Sequence, residues 1–146
     1  MRCLLMIAVL LLPLPALAWD VGRDGPRCTL THRTPETTIR LTYDPGLPEY
    51  TISLTRPGAP WPRAPIFALR FDGAQPNMIS TSRHMLSDGD RQLMVTDRGF
   101  GNVLDGLQFN DMATAIVGDE ILRIPLDGAA PEVADFRACR APLPIG

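Results

Sequence analysis

The sequence predicts an α+β fold: a single antiparallel, sheet-dominated domain, sandwich- or barrel-like, with one to three short helices in its C-terminal half. Three observations predict it. Apolar residues alternate with polar ones through the first half, clusters of Pro, Gly and Asp separate these runs, and the apolar spacing becomes helical further on. Strands followed by helices are typical of α+β domains.

Two neighbouring runs near the N-terminus form a hairpin. Residues 37–43, TTIRLTY, place Ile39, Leu41 and Tyr43 on one face of a strand, and residues 50–55, YTISLT, repeat the alternation. The DPGLPE between them consists of turn-forming residues. The two runs are therefore expected to pair.

A proline-rich segment comes next. Residues 56–65, RPGAPWPRAP, contain four prolines, which cannot donate to a sheet, so we expect an extended connector along a sheet edge. Residues 66–73, IFALRFDG, then form a strand with Phe67, Leu69 and Phe71 on one face. Residues 78–86, MISTSRHML, and 91–97, RQLMVTD, flank SDGD and form another hairpin.

The pattern changes in the second half. Residues 102–109, NVLDGLQF, have helical spacing, with Asn102 as N-cap and Asp105 three residues on. Residues 111–117, DMATAIV, fit either a short helix closed by Gly118 or a strand that turns there. The helix is the favoured interpretation.

A strand and a helix complete the chain. Residues 120–126, EILRIPL, form a strand that Pro125 places at a sheet edge. Residues 129–139, AAPEVADFRAC, form the final helix, with Pro131 near its first turn. The residues of this helix that can face a sheet are Val133, Ala134 and Phe136. Such packing would bring Cys139 to Cys28.

The first 18 residues have the three parts of a signal peptide. Arg2 precedes the apolar run 4–12, and Ala-Leu-Ala at 16–18 is a typical cleavage site. We expect cleavage, a mature domain of residues 19–146 that begins at Trp19, and a periplasmic or secreted location. The alternative is a buried N-terminal helix. The apolar run is shorter than the about 20 residues that span a membrane, so no integral span is expected.

Cleavage leaves two cysteines, Cys28 and Cys139. Two thiols in an oxidising compartment are most simply one disulfide, which would attach the C-terminal segment to the first strand. The closed loop of roughly 110 residues corresponds to on the order of 4 to 5 kcal/mol of stabilisation in the chain-entropy treatment. The alternative is two unpaired buried thiols.

Charge composition excludes several functions. The chain has no lysine and a formal net charge of −2. Without lysine it cannot form a P-loop, a Schiff base or a Ser-Lys dyad. A mildly acidic chain also lacks the basic surface of a nucleic-acid-binding protein. No nucleic acid and no cofactor are therefore expected.

Two sets of residues around His84 are candidates for chemistry. Ser80, Ser82, Asp88 and Asp90 lie near this histidine in the sequence, as a small hydrolase would need, although no G-x-S-x-G motif is present. A surface histidine on a hairpin is the alternative interpretation. No catalytic residue is assigned.

Metal ligands are the second set. There is no C-x-x-C and no His pair at ligand spacing. His84, Met85 and Met94 are soft ligands that suit Cu(I), and a turn at SDGD would place the two methionines opposite each other. Methionine as core filler is the favoured interpretation, so no metal site is assigned.

DRGFGN, residues 97–102, is the expected ligand-binding loop. Its binding residues are Arg98, Gly99, Phe100, Gly101 and Asn102. The glycines permit positive φ and close backbone approach, and the following helix start and the arginine favour an anion. The alternatives are a tight strand-to-helix turn with the phenyl ring in the core, and neutralisation of the arginine by nearby aspartates.

Five features carry a resemblance to known proteins: Trp19 after the cleavage site, CTLTH, TYDP, TDRGFGNVLDGLQFN and IPLDGAAPEVADFRAC. With them the mature chain resembles small exported alphaproteobacterial proteins that have no established activity. Some of these bear the name of a DNA excision-repair nuclease, excinuclease ABC. The residues here do not support that name, because a Walker A loop needs a lysine. The closing strand, turn and helix also resemble the end of the invasion-associated locus B family of exported β-sandwich proteins.

Taken together, these features predict an exported, non-catalytic binding or structural module. We expect a monomer whose partner is another envelope protein or a small anionic ligand. The two alternatives are a small hydrolase that uses His84 and a periplasmic Cu(I)-binding protein that uses His84, Met85 and Met94.

Overall fold

The computed structural model describes residues 18–139. The expected signal peptide, apart from Ala18, lies outside the described residues. The described part of the chain contains ten strands and two helices. In chain order they are β1 (Trp19–Asp24), β2 (Arg27–Arg33), β3 (Thr38–Asp44), β4 (Glu49–Thr55), β5 (Phe67–Gly73), β6 (Asn77–Thr81), β7 (Met85–Ser87), β8 (Gln92–Asp97), α1 (Gly101–Phe109), β9 (Asn110–Val117), β10 (Glu120–Pro125) and α2 (Ala129–Arg137).

The strands form two antiparallel sheets. One sheet has six strands in the order β1-β2-β3-β4-β8-β7, and the other has four in the order β10-β9-β5-β6. The expected α+β sandwich with helices in the C-terminal half is thereby confirmed. Within residues 18–139 no helix is long and apolar enough to cross a membrane.

Apolar rows on the inner faces hold the two sheets together. In the six-stranded sheet Leu41 lies between Leu30 and Ile52, as the alternation predicted for the first hairpin. On the inner face of the four-stranded sheet, β5 contributes the buried side chains of Phe67, Leu69 and Phe71. The largest fully buried apolar side chains are Leu30, Ile39, Leu41, Leu54, Trp61, Phe71, Leu93, Val117, Val133 and Phe136. Burial of this apolar surface is the main stabilising term of the fold.

The proline-rich connector, residues 56–65, forms no strand, as expected. Its indole, Trp61, is buried and donates from Nε1 to the carbonyl of Leu54 at 3.0 Å. Its backbone N–H donates to the carbonyl of Asp90 at 2.7 Å. The Arg56 guanidinium covers the ring, 4.7 Å from its centroid. One buried aromatic therefore positions a segment that cannot join a sheet.

The run 78–86, which the sequence favoured as one strand of a hairpin, is divided between the two sheets. β6 pairs with β5 in the four-stranded sheet, and β7 pairs with β8 in the six-stranded sheet. Residues 82–84 cross between them without joining either sheet. The predicted turn around Gly89 and the pairing of Met85 with Met94 are both confirmed.

Residues 111–117 are a strand, so the helix favoured from the sequence is wrong. β9 pairs with β10 on one side and with β5 on the other. Ala113, Thr114 and Ala115 are all buried, which removes the alternation of a one-sided strand. The chain turns at Gly118, whose φ of 57° lies in the left-handed region. Tertiary pairing thus overrides the helix propensity of the alanines.

The helix boundaries differ in detail from expectation. α1 begins at Gly101, and the N-cap position is Phe100, with no side-chain capping bond, so Asn102 is not the cap. Asp105 does not complete a capping box either, because its carboxylate accepts a hydrogen bond from Arg137 of α2. In α2, Val133 and Phe136 are buried as predicted, while Ala134 is exposed, contrary to the prediction.

Cys28 and Cys139 form the expected disulfide, with their Cα atoms 6.3 Å apart and a sequence separation of 111. Cys28 lies on β2, which is the second strand of the sheet and not the first. The other cysteine follows α2, which packs on β1, β2 and α1. The bridge therefore attaches the last helix to the six-stranded sheet.

Candidate functional site

The expected ligand-binding loop connects β8 to α1. Arg98, Gly99, Gly101 and Asn102 are exposed, whereas Phe100 is buried. Neither glycine has a positive φ, so the left-handed conformation that the sequence permits is not used. If these glycines contribute to binding, they do so because the lack of a side chain lets a ligand approach the backbone closely.

Phe100 belongs to an aromatic cluster at one end of the sandwich. Its ring stacks on Tyr50, with centroids 5.4 Å apart and planes 15° from parallel. The Tyr50 ring also lies against those of Tyr43 and Phe136, with centroid separations of 4.4 Å and 6.3 Å, the second in an edge-on arrangement. Burial raises the pKa of Tyr50, and the neighbouring Tyr43 raises it further. The interpretation that placed Phe100 in the core is correct for this ring.

The same ring forms one wall of a cleft between the two sheets, on the side of the sandwich where β6 and β8 lie. Both sheets and α1 contribute its apolar lining, which consists of Ile52, Phe67, Leu69, Ile79, Val95, Phe100 and Val103. The cleft has a volume of about 120 Å³. An apolar group of a ligand could enter this open cleft and be surrounded by apolar side chains without any rearrangement of the fold.

Polar groups surround the mouth of the cleft. They are contributed by Ser80, Thr81, Arg83, Asp97 and Gly99. Asp97 accepts a hydrogen bond from the Arg83 guanidinium at 2.9 Å and another from the backbone N–H of Arg98 at 2.7 Å. One carboxylate therefore joins the crossover between the sheets to the expected binding loop.

The ion pair at the mouth is exposed, since the side chain of Arg83 is 71% accessible and that of Asp97 is 40% accessible. Exposed pairs of this kind contribute about 0 to 1 kcal/mol to stability. A ligand carboxylate can exchange with Asp97 at low cost, because the arginine remains hydrated in both states.

Arg98 is not neutralised as the sequence alternative supposed. Asp97 accepts a hydrogen bond from the backbone N–H of Arg98, but its ion pair is with the guanidinium of Arg83. Asp105 forms its ion pair with Arg137. Among residues 18–139 the Arg98 side chain has no ion-pair partner. Arg98 lies in the chain between Asp97 and Gly99, which both line the cleft, whereas Arg83 lines the cleft itself and is paired with Asp97.

A second concave region lies on the outer face of the six-stranded sheet, with a volume of about 350 Å³. Four of its charged residues form pairs, Arg27 with Asp44 at 3.4 Å and Arg40 with Asp24 at 3.2 Å. The fifth, Glu49, has no ion pair among residues 18–139. Threonines of β3 and β4 and other polar side chains form most of its floor. Because its apolar side chains are limited to Leu47 and Met94, this region lacks an apolar wall, and the inter-sheet cleft is the stronger candidate site.

The structure does not assemble the hydrolase set around His84. This ring lies 6.2 Å from that of Phe67, and its buried Nδ1 has no hydrogen-bond partner in the described part of the chain. Asp90 instead accepts hydrogen bonds from Arg63, the shorter at 2.8 Å. Among the described residues no serine or aspartate forms a hydrogen bond with the imidazole.

The copper set is divided as well. Met94 is paired with Ser53 and Met85, on the outer face of the six-stranded sheet. The His84 ring contacts Phe67 on the inner side. No group of three or more His, Cys, Asp or Glu residues that could hold a metal occurs among the described residues.

Comparison of the chain with protein-family models, with curated proteins and with solved structures finds no match. The resemblance to exported alphaproteobacterial proteins therefore stays a prediction. What the structure defines is a class: a two-sheet antiparallel sandwich with one disulfide and an open apolar cleft.

Sequence reasoning found two residues of the cleft, Gly99 and Phe100, and missed the rest. Arg83 was placed within a strand, although the polar STSR around it lacks alternation and so signals a crossover. Ile52, Val95 and Ile79 carried no signal, because a cleft residue on a strand has the same pattern as a core residue.

Proposed function

We propose that the protein is an exported binding module that holds an apolar group of its partner in the inter-sheet cleft, with a carboxylate or similar anion beside Arg83 and Arg98. The observation that supports it is the apolar lining of the cleft beside the exposed guanidinium of Arg83. Arg98 adjoins two further lining residues, Asp97 and Gly99, in the chain. A hydrated arginine next to an apolar pocket recognises an amphipathic anion, because neither group alone supplies both contacts.

Export is part of the proposal. The signal-peptide pattern of the first 18 residues and the disulfide both favour an oxidising compartment. The mature protein would then meet its partner in the periplasm or outside the cell. Binding is favoured over catalysis, since the polar groups that line the cleft are an arginine paired with an aspartate and two hydroxyls, a set without a histidine or an oriented nucleophile.

Linear carboxylates of increasing chain length test this function, with the alcohols of equal length as controls for the head group. The probes are added to oxidised mature protein labelled with ¹⁵N, and amide chemical shifts are followed. We expect hexanoate to shift the amides around Gly99 and Ile79 with a Kd on the order of millimolar, as its few heavy atoms allow. Hexanol should bind more weakly.

A pair of variants on β6 separates the cleft from the outer face of the same strand. Ile79→Trp fills the cleft and should abolish the shifts, whereas Met78→Trp adds the same side chain on the outer face and should preserve them. Carboxylate binding that persists in Ile79→Trp, or no binding by any chain length, would overturn the proposal.

A further inference from the structure

Edge strands expose unpaired backbone groups, and three of the four edges in this sandwich are protected against pairing. β1 carries three charged residues, and β10 carries two charges and Pro125. β7 has only three residues. Charges, proline and short length are the usual devices against strand addition.

The fourth edge, β6, has none of these devices. Its five residues, NMIST, include no charge and no proline. β6 pairs with β5 on one side only, and within residues 18–139 no backbone group accepts or donates a hydrogen bond on its other side. In an antiparallel sheet alternate residues of such an edge point their N–H and C=O groups away from the sheet. These groups form a template for one more strand.

The unprotected edge is also the edge beside the cleft. Ile79 of β6 lines the cleft, and Met78 faces outward. A strand added to β6 would extend the four-stranded sheet across the open side of the sandwich. Because side chains alternate between faces, every second residue of that strand would point towards the cleft.

We propose that β6 binds an extended polypeptide segment of a partner protein by strand addition, with one apolar side chain in the cleft and an acidic side chain beside Arg83 or Arg98. This inference rests on the proposed function of the cleft and names the class of its ligand. Main-chain hydrogen bonds supply affinity in this mode, and the pocket supplies specificity.

Charge complementarity favours a different chain over a second copy. The exposed Arg83 lines the cleft. Arg98, which forms no ion pair among the described residues, adjoins the lining residues Asp97 and Gly99 in the chain. β6 of a second copy would bring no carboxylate to them, because NMIST has no acidic residue. A partner segment that combines apolar and acidic residues satisfies both groups.

A phage-displayed library of random decapeptides, selected on the oxidised mature protein, provides the probe. The strongest selected peptide is synthesised and used in all further measurements. We expect selected sequences in which an apolar residue and an Asp or Glu recur at fixed spacing. If no sequence is enriched, the inference is overturned.

Amide hydrogen exchange then identifies the mode of binding. The outward amides of β6 should exchange fast in the free protein and become protected in the peptide complex. Hexanoate, which occupies the cleft alone, should leave them unprotected. If the peptide binds without protecting the outward amides of β6, strand addition is overturned. Hexanoate binding tests the proposed function of the cleft separately, because it does not depend on strand addition.

Backbone N-methylation of the peptide tests the ladder without any change to the protein. Methyl groups on one alternating set of peptide nitrogens should weaken binding by about tenfold or more, since each removes a hydrogen bond of the ladder. The other set should be tolerated. Equal effects of the two sets would contradict a strand-like pose.

The same β6 variants serve as a matched pair. Ile79→Trp should abolish peptide binding, and Met78→Trp should retain it. If the outward amides of β6 are already protected in the free protein, this edge is covered by the chain itself or by a second copy, and sedimentation distinguishes the two cases. Either result would overturn the inference.

Discussion

The indole of Trp19 stacks on the imidazole of His32, with ring centroids 4.5 Å apart and planes 6° from parallel. The two residues are cross-strand partners on β1 and β2, and both side chains are buried. The Nε1 of the indole and the Nδ1 of the imidazole have no hydrogen-bond partner among residues 18–139. Stacking, not hydrogen bonding, therefore holds this pair at the edge of the six-stranded sheet.

This arrangement predicts opposite effects of two substitutions. Trp19→Ala should lower the free energy of unfolding by about 3 to 5 kcal/mol, as removal of a buried aromatic does. His32→Phe should leave it unchanged or raise it, because an aromatic ring still stacks on the indole and a buried polar nitrogen disappears. Urea unfolding measures both. A large loss in His32→Phe would show that the imidazole has a polar partner.

The expected cleavage site predicts the N-terminus that the protein would have after export. Because β1 begins at Trp19 and this side chain is buried, processing must leave the residue in place. Intact mass and N-terminal sequencing of the protein from the envelope fraction should show a chain that begins at Trp19. A product that begins beyond it, or an uncleaved chain, would contradict the prediction.

Removal of the disulfide should destabilise the protein strongly. Cys28 and Cys139 are separated by 111 positions in the sequence, and for a loop of this length the chain-entropy treatment gives about 5 kcal/mol. The double substitution of both cysteines by serine should lower the free energy of unfolding by a few kcal/mol. The oxidised wild-type protein should be lighter than its reduced form by two hydrogen atoms. Two thiols that alkylate without prior reduction would contradict the bridge.

Gly106 of α1 packs directly against Phe71 of β5, and the phenyl ring leaves no room for a Cβ atom. Gly106→Ala should therefore cost about 1 to 3 kcal/mol, despite the higher helix propensity of alanine. Gly101→Ala is the matched control in the same helix, because a Cβ there meets no atom within 4 Å. It should be neutral or stabilising by about 0.4 to 1 kcal/mol. Thermal unfolding compares the two variants, and equal effects would mean that the contact with Phe71 yields easily.

Arg98→Ala should leave the fold intact and weaken binding. Its side chain is exposed without an ion pair in the described residues, so the free energy of unfolding should change by no more than about 0.5 kcal/mol. Hexanoate affinity should fall, while hexanol affinity should not. Arg33→Ala is the control, since this exposed arginine also lacks an ion pair within residues 18–139 but lies away from the cleft. Unfolding of Arg98→Ala would assign the arginine a structural role.

Local sequence pattern predicted those elements whose burial is one-sided. β3 and β4 alternate because one face of their sheet meets the core, and Pro125 indicated the edge position of β10 correctly. The two cysteines of the mature chain were sufficient to predict the bridge. In each case the signal is a property of the residue itself or of its immediate neighbours.

Long-range packing decided the rest. The sequence of β9 fitted a helix as well as a strand, because Ala113, Thr114 and Ala115 are buried in succession and leave no alternation. Pairing with β5 and β10 decided for the strand. Residues 78–86 are divided between two sheets because β6 pairs with β5 and β7 pairs with β8. The backbone hydrogen bonds are the same in either sheet, so the local sequence does not indicate which strand each half will pair with. The cleft follows from that division, because the crossover leaves the sandwich open between β6 and β8. The spacing of apolar residues predicts which face of a strand is buried. The position of the cleft depends on how the two sheets pack against each other, which the local sequence does not determine.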